Sequence, residues 1–162
     1  MKKYILFTVI FFIGCEQTVV EKSAGLANSD GDKYILGSDE DSQLAVDLVL
    51  AYAEKNTDLM YEMMNDTIRY WPSQGREMLV LSRDAVHDVV NQLHSPYDSI
   101  TRTVWNSVPL KTEGSDYSRV TVAFSENRFL KDGTQENVRL IDRIFIRDGK
   151  IFRIHQWDAE ME

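Results

Sequence analysis

Past Pro96 the chain reads almost wholly as strands, and this stretch constrains the fold more than any other feature. Four runs of alternating apolar and polar residues, 99–112, 117–130, 135–147 and 150–158, are separated only by Gly114-Ser115-Asp116, Asp132-Gly133 and Asp148-Gly149. Turns this short join neighbouring strands antiparallel, as a meander. Three helical segments come first. Leu44, Leu48, Ala51 and Tyr52 recur at helical spacing behind Asp41 or Ser42 as N-cap. Thr57 can cap a short second helix that turns Leu59, Met60, Met63 and Met64 inward. A brief strand over 67–71 stops at Pro72. Ser82 caps a third helix whose stripe is Val86, Val89, Val90 and Leu93, closed by Pro96. Helices followed by a strand meander make an α+β order.

Alternation also assigns faces. Val120, Val122 and Phe124 share one face, as do Leu140, Asp142, Ile144 and Ile146, and as do Phe152 and Ile154. A two-residue turn at Asp148-Gly149 pairs Ile144 with Arg153 and mixes the faces. A three-residue loop, Arg147 to Gly149, pairs Ile144 with Phe152 and restores agreement. In that register Asp142 lies opposite Ile154 and Leu140 opposite Gln156, and an odd loop at 132–134 sets Phe124 against Asp142. The inner face then carries polar groups only toward one end: Asp142, Gln156, Asp158 and Glu126. The outer face carries Ile141, Phe145, Ile151 and Trp157 among Arg143, Arg153 and His155, and an outward apolar face of this length predicts a cover.

The first fifteen residues follow a different logic. Lys2 and Lys3 precede an apolar run, Tyr4 to Ile13. The run is too short to span a bilayer, which takes ~20 residues, and suits the hydrophobic stretch of a secretory signal. It ends Phe12-Ile13-Gly14-Cys15, which resembles the bacterial lipobox, with Phe12 where leucine is commoner. In lipobox proteins the cysteine is acylated and becomes the first residue after cleavage. Cys15 is the only cysteine of the 162 residues, so no disulfide forms within the chain and no cysteine-based metal site is available. Acylation accounts for both its presence and its isolation.

The expected organisation is a signal peptide over 1–14, an acylated Cys15 opening a flexible tether over 15–40, and a domain over 41–162. The tether is rich in Ser, Gly, Asp, Glu and Asn, although Tyr34-Ile35-Leu36 is apolar enough to dock on the domain. This places the protein in the bacterial cell envelope, outside the cytoplasm. The formal charge is −8. Without Lys2 and Lys3 the balance is 16 basic against 26 acidic residues, or −10. Such a balance repels phosphate backbones and anionic headgroups. It argues against a nucleic-acid partner and leaves acyl chains on Cys15 as the membrane attachment.

Residues 41 to 158 resemble the nuclear-transport-factor-2-like superfamily, in its SnoaL-like bacterial branch. The resemblance is carried by the Tyr52 helix, by Thr57-Asp58-Leu59, by Asp66-Thr67-Ile68 entering a strand, and by Gly75 ahead of the third helix. The segment from Arg147 to Asp158 matches best. The resemblance implies a cone: a strongly curved antiparallel sheet wrapped round three helices, cystatin-like, with a pocket at its open end. It also implies a homodimer through the outer sheet face, here Phe145, Ile151 and Trp157. The superfamily holds isomerases, dehydratases, cyclases and domains with no known reaction, so the fold does not fix the function.

Asp142 falls where ketosteroid isomerases of this superfamily place an aspartic acid in the pocket wall. Among Phe124, Ile144 and Ile154 its pKa should rise, as suits a proton donor or shuttle. It is the catalytic candidate; its alternative is an aspartate bonded to Gln156 or to a helix-side tyrosine for packing. The isomerases' general base is replaced here by Tyr70-Trp71-Pro72, so their mechanism does not carry over, and Tyr70 and Trp71 offer flat apolar surface instead. The pocket candidates are Tyr52, Tyr70, Trp71, Phe124, Glu126, Gln156 and Asp158. His87 and His94 share a helix face with Asn91, opposite the valine stripe and toward water, without a third metal ligand. His155 points outward, and a slip of one residue exchanges it and Trp157 for Gln156. Serine-nucleophile, phosphate-loop and zinc-ligand motifs are absent, so no cofactor or metal is expected. Three functions are consistent with these residues. One is a lipid-anchored domain binding a small, mainly apolar molecule or partner without turnover. The second is an enzyme moving a proton with Asp142, aided by Tyr52 or Asp158. The third is a dimeric structural component of the envelope.

Overall fold

A computed structural model describes residues 23–73 and 77–160; the signal segment 1–14, Cys15 and Gly75 lie outside these. The first helix, α1 (Asp39–Ala53), starts earlier than Asp41 because Ser38 is its cap, the hydroxyl accepting from the Asp41 N–H at 3.1 Å. Asp39, Glu40 and Asp41 fill the first turn, where carboxylates favour the helix dipole. In α2 (Thr57–Met63) the cap is Asn56 rather than Thr57; the Thr57 hydroxyl instead bonds His87 Nδ1 at 2.8 Å. Met60 and Met63 are buried, but Leu59 is 41% exposed, because a seven-residue helix presents only one face to the core.

β2 (Met64–Trp71) is followed by β3 (Leu79–Ser82), a strand absent from the sequence reading. A 3-10 turn over Arg83–Ala85 then leads into α3 (Val86–His94). In α3 the buried positions are Val86, Val90 and His94, while Leu93 is exposed. The inward stripe is therefore rotated from the expected one, and His94 turns in, its ring 4.7 Å from that of Tyr52, instead of facing water. The long strands β4 (Tyr97–Thr112), β5 (Ser118–Leu130), β6 (Gln135–Arg147) and β7 (Lys150–Glu160) fall where alternation predicts.

With β1 (Tyr34–Leu36) at one edge, the helices pack against a curved sheet ordered β1-β4-β5-β6-β7-β2-β3. It is mixed, not wholly antiparallel: β2 runs parallel to β7, which is possible because the intervening chain makes a long crossover. β1 pairs with β4, Tyr34 opposite Thr112 and Leu36 opposite Leu110. The sheet thus begins inside the segment read as tether, ahead of residue 41.

The β6–β7 hairpin corrects the expected register. Asp148 and Gly149 form a two-residue turn with φ of 51° and 69°, and Arg147 pairs with Lys150. One position later the register shifts between Phe145 and Ile146, because β7 carries an extra residue there. Ile151 consequently turns inward and is fully buried, while Phe152 joins Phe145 on the outer face, ring centroids 6.2 Å apart. Ile144 pairs with Ile154, Asp142 with Gln156, and Leu140 with Asp158. Phe124 lies opposite Leu140, and Val122 opposite Asp142. Faces are as expected elsewhere; partners are displaced by two. Ile151 cannot serve an outer interface, Phe145 is itself buried, and of the three residues assigned to a dimer only Trp157 is exposed.

The core joins Val120, Val122, Phe124, Leu140, Ile144 and Ile151 of the sheet to Ala45, Leu48, Val49 and Val90 of the helices. Each fully buried aliphatic or aromatic side chain contributes about 1.5–3 kcal/mol.

Candidate functional site

Along β5 and β7 the inward positions change from apolar to polar on leaving the core. In β5, Val120, Val122 and Phe124 give way to Glu126 and Arg128; in β7, Ile154 gives way to Gln156 and Asp158. Arg102 continues the inward face of β4, and Tyr70 that of β2. Between these groups and the helices lies a cavity of about 280 Å³, closed on the helix side by Leu48, Met60, Val90 and Leu93 among others.

Two polar assemblies meet in it. Glu126, 1% exposed, stands directly across from Arg102. It takes Arg102 Nη2 at 2.5 Å on one oxygen and Arg128 Nε at 2.5 Å on the other. Arg102 lies between two rings, 4.3 Å from the centre of Tyr52 and 4.7 Å from that of Phe124. Its Nη1 donates to the Val49 carbonyl at 3.0 Å, tying β4 to α1. Charges this deep are tolerated because each is paired and its donors are used. Burial alone would lower the Arg128 pKa, but the Glu126 carboxylate outweighs it and the net shift is upward.

The second assembly is a chain. Tyr70 donates its hydroxyl to Gln156 Oε1 at 3.1 Å, and Gln156 Nε2 donates to Asp142 Oδ1 at 3.0 Å. The tyrosine thereby fixes which end of the amide faces the aspartate. Burial lifts the Asp142 pKa to about 6, against the opposing pull of Arg102. Burial also raises Tyr70, with Asp142 adding to it, and pushes Tyr52 up to about 12 despite Arg102. At neutral pH both tyrosines keep their protons, while Asp142 is poised to take or release one.

Of the residues singled out in the sequence, Asp142, Tyr52, Tyr70, Glu126, Gln156 and Asp158 line the cavity. Phe124 does not; it lies wholly buried beneath Arg102. Trp71 faces the other way and packs on His155, centroids 4.4 Å apart, because neighbours on a strand point to opposite faces. His155 is outward, as expected. Arg102 and Arg128 complete the site without having been singled out. The signal was available, since Arg102 shares its face with Ile100 and Val104, and Arg128 with Glu126. Among the described residues no group of three or more His, Cys, Asp or Glu side chains is arranged to hold a metal.

No protein-family model matches the sequence, and no curated protein does. Among solved structures the chain is similar to a nuclear-transport-factor-2-like protein from Anabaena variabilis, 11% identical with a TM-score of 0.61, over 76% of this chain and 89% of that one. The fold is nuclear-transport-factor-2-like. Other structures with this nuclear-transport-factor-2-like shape include an M. tuberculosis LEH-like epoxide hydrolase, 7% identical with a TM-score of 0.60, over 75% of this chain and 84% of that one. A further one is a protein of ketosteroid-isomerase-like fold from Catenulispora acidiphila, solved with trimethylamine, 11% identical with a TM-score of 0.57, over 70% and 83%. Identities this low establish shape and leave the reaction to be argued from the site.

Proposed function

We propose that the chain is an exported, lipid-anchored nuclear-transport-factor-2-like domain whose cone binds a small, mainly apolar molecule bearing one polar end. The observation that carries this reading is the division of the cavity wall. Leu48, Met60, Ile68, Val86 and Val90 supply an apolar side, and the Asp142–Gln156–Tyr70 chain gathers polar contacts on another. Small-molecule sites combine an apolar lining with a few placed polar groups, and about 280 Å³ sits near the lower end of their ~300–1,000 Å³ range. A ligand's apolar body suits the helices, and its hydroxyl or carbonyl suits Asp142. Export and anchoring rest on Lys2 and Lys3, the apolar run and Cys15.

A second reading, proton-transfer catalysis, is favoured by the raised Asp142 pKa. It ranks lower because the partner that Asp142 has is Gln156, an amide that neither takes nor gives up a proton at neutral pH.

Titration with N-phenyl-1-naphthylamine, an uncharged apolar fluorophore, should give saturable one-to-one binding. Val90→Trp, which fills the cavity from α3, should weaken that binding by about tenfold or more, equivalent to about 1.4 kcal/mol. Equal affinity in a folded Val90→Trp chain would overturn the assignment of this cavity.

A further inference from the structure

The outer face of the sheet carries a charge pattern that the cavity does not explain. The outward positions of β5, β6, β7 and β2 hold six arginines and not one aspartate or glutamate, in a chain whose formal charge is −8. Glu126, Asp142 and Asp158 of the same strands line the cavity instead. Two rows cross this face. One runs Arg119, Phe145, Arg153, Arg69 and the next runs Thr121, Arg143, His155, Trp71. Arg153 stands directly opposite Arg69, a placement that destabilises a sheet unless something offsets it.

Among the described residues nothing offsets it fully. Arg147 has Asp116 at 3.0 Å, but among the described residues no carboxylate lies within ion-pair distance of Arg69, Arg119, Arg143 or Arg153. Aromatic rings give partial relief: Arg119 lies 4.4 Å over Tyr34, Arg153 4.9 Å over Phe145 and Arg143 5.0 Å over Trp157. Held flat in this way, Arg119, Arg143 and Arg153 keep their Nε atoms buried without a hydrogen-bond partner. Burial, then repulsion from Arg119, lowers the Arg143 pKa. Burial, then Arg153 and Arg143, lowers that of His155. In both, the neighbouring arginines add to the effect of burial and no carboxylate opposes it.

We propose that this arginine-rich outer face docks the domain on an anionic bilayer surface, its guanidinium groups meeting lipid phosphates. The next row of the face pairs Ile141 with Trp157, each 45% exposed. Tryptophan settles at headgroup depth, and arginine extends its charge past apolar neighbours to reach phosphate. An acidic peptide is a poorer fit. β5, β6 and β7 each have a neighbour on both sides, so no free backbone edge exists there for strand addition. A second copy of the same face would set arginines against arginines. The acidic composition is no objection, since charge is segregated: no carboxylate of these strands stands at an outward position.

The test uses the full chain carrying Lys2→Ser, Lys3→Ser and Cys15→Ala, so that neither acyl chains nor the basic residues ahead of the apolar run contribute. Its partitioning is compared between phosphatidylcholine vesicles and vesicles that are roughly one third phosphatidylglycerol. The apolar N-terminal run favours both vesicles alike, so the ratio isolates the face. Preference for the anionic vesicles should be about tenfold or more. It should fall toward unity in the Arg143→Glu/Arg153→Glu chain and in about 1 M salt, where charges are screened beyond about 3 Å. Arg143→Lys/Arg153→Lys should retain it. Equal partitioning, or a preference that survives both charge reversal and salt, overturns the proposal. The salt comparison needs no substitution on the face and holds if the reversed chain fails to fold. If vesicles show no preference while a fluorescent hexaglutamate peptide binds through Arg143 and Arg153, the face serves a protein and the proposal fails. A dimer dispersed by Arg143→Glu/Arg153→Glu without vesicle preference sinks it equally.

Discussion

Asp142 has Val122 on one side of it in the sheet and Gln156 on the other, and this setting makes its charge costly. Its inward direction follows from the alternation Leu140, Asp142, Ile144, Ile146, which is why the sequence could place it. The neighbours that tune it were less legible. Arg102 is found only by carrying the same alternation through β4, where the flanking residues are mostly polar and the apolar signal fades. With a folded pKa of about 6 against about 3.9 when unfolded, the native state binds the extra proton between those values. Stability therefore falls as pH rises from about 4 to about 6 and stays level above, by up to about 3 kcal/mol. Asp142→Asn keeps an oxygen for Gln156 and has no charge to bury. It should be more stable than the parent by about 1–3 kcal/mol at neutral pH, with the difference closing near pH 4. Urea unfolding at the two pH values measures this. A pH-independent difference would mean that burial of the carboxylate is not its origin.

At the scale of elements, the β6–β7 hairpin shows what alternation can and cannot resolve. Keeping Ile144 and Ile146 on the same face as Ile154 requires one residue beyond a simple two-residue turn. That residue can sit in the turn itself or later in the strand, and the inward pattern is nearly the same for both. The two solutions differ at Ile151 and Phe152, which exchange faces, and in a two-residue shift of every partner beyond. The choice is made by the turn. Asp148 tolerates positive φ, and Gly149 adopts it without penalty, so the tight turn forms and the extra residue moves into β7. Other departures have similar local causes. Tyr70 and Trp71 are adjacent in a strand and cannot both enter the cavity, and β3 is too short to show a period. Gly149→Val should cost about 1–2 kcal/mol, the penalty of a side chain in left-handed backbone. Asp148→Asn, equally suited to its position, should be nearly neutral. Thermal unfolding of the two variants tests the assignment, and equal losses would contradict it.

For the molecule as a whole, average composition misleads where the distribution of charge does not. A formal charge of −8 suggests repulsion from phosphate everywhere, yet no carboxylate of β5, β6 or β7 stands at an outward position, where Arg119, Arg139, Arg143, Arg147 and Arg153 do. The two proposals, acyl chains on Cys15 and docking of the outer sheet face, bring the domain to the membrane independently, and they have different physical signatures. Acyl chains are held by the hydrophobic effect, about 0.8 kcal/mol per buried methylene, which salt does not weaken. Guanidinium–phosphate attraction is screened as the Debye length contracts from about 10 Å at 0.1 M to about 3 Å at 1 M. Fractionation of cells making the parent chain should therefore leave it with membranes through a wash in about 1 M salt, with release only by detergent. The Cys15→Ala chain should leave the membrane fraction in part, and further in the salt wash, which leaves only the apolar run over 4–13 to hold it. Partitioning of Cys15→Ala identical to the parent under both washes would remove Cys15 as the anchor. Loss of Cys15→Ala from membranes even at low salt would leave the anchor in place and show that the arginine face is too weak to hold the domain by itself.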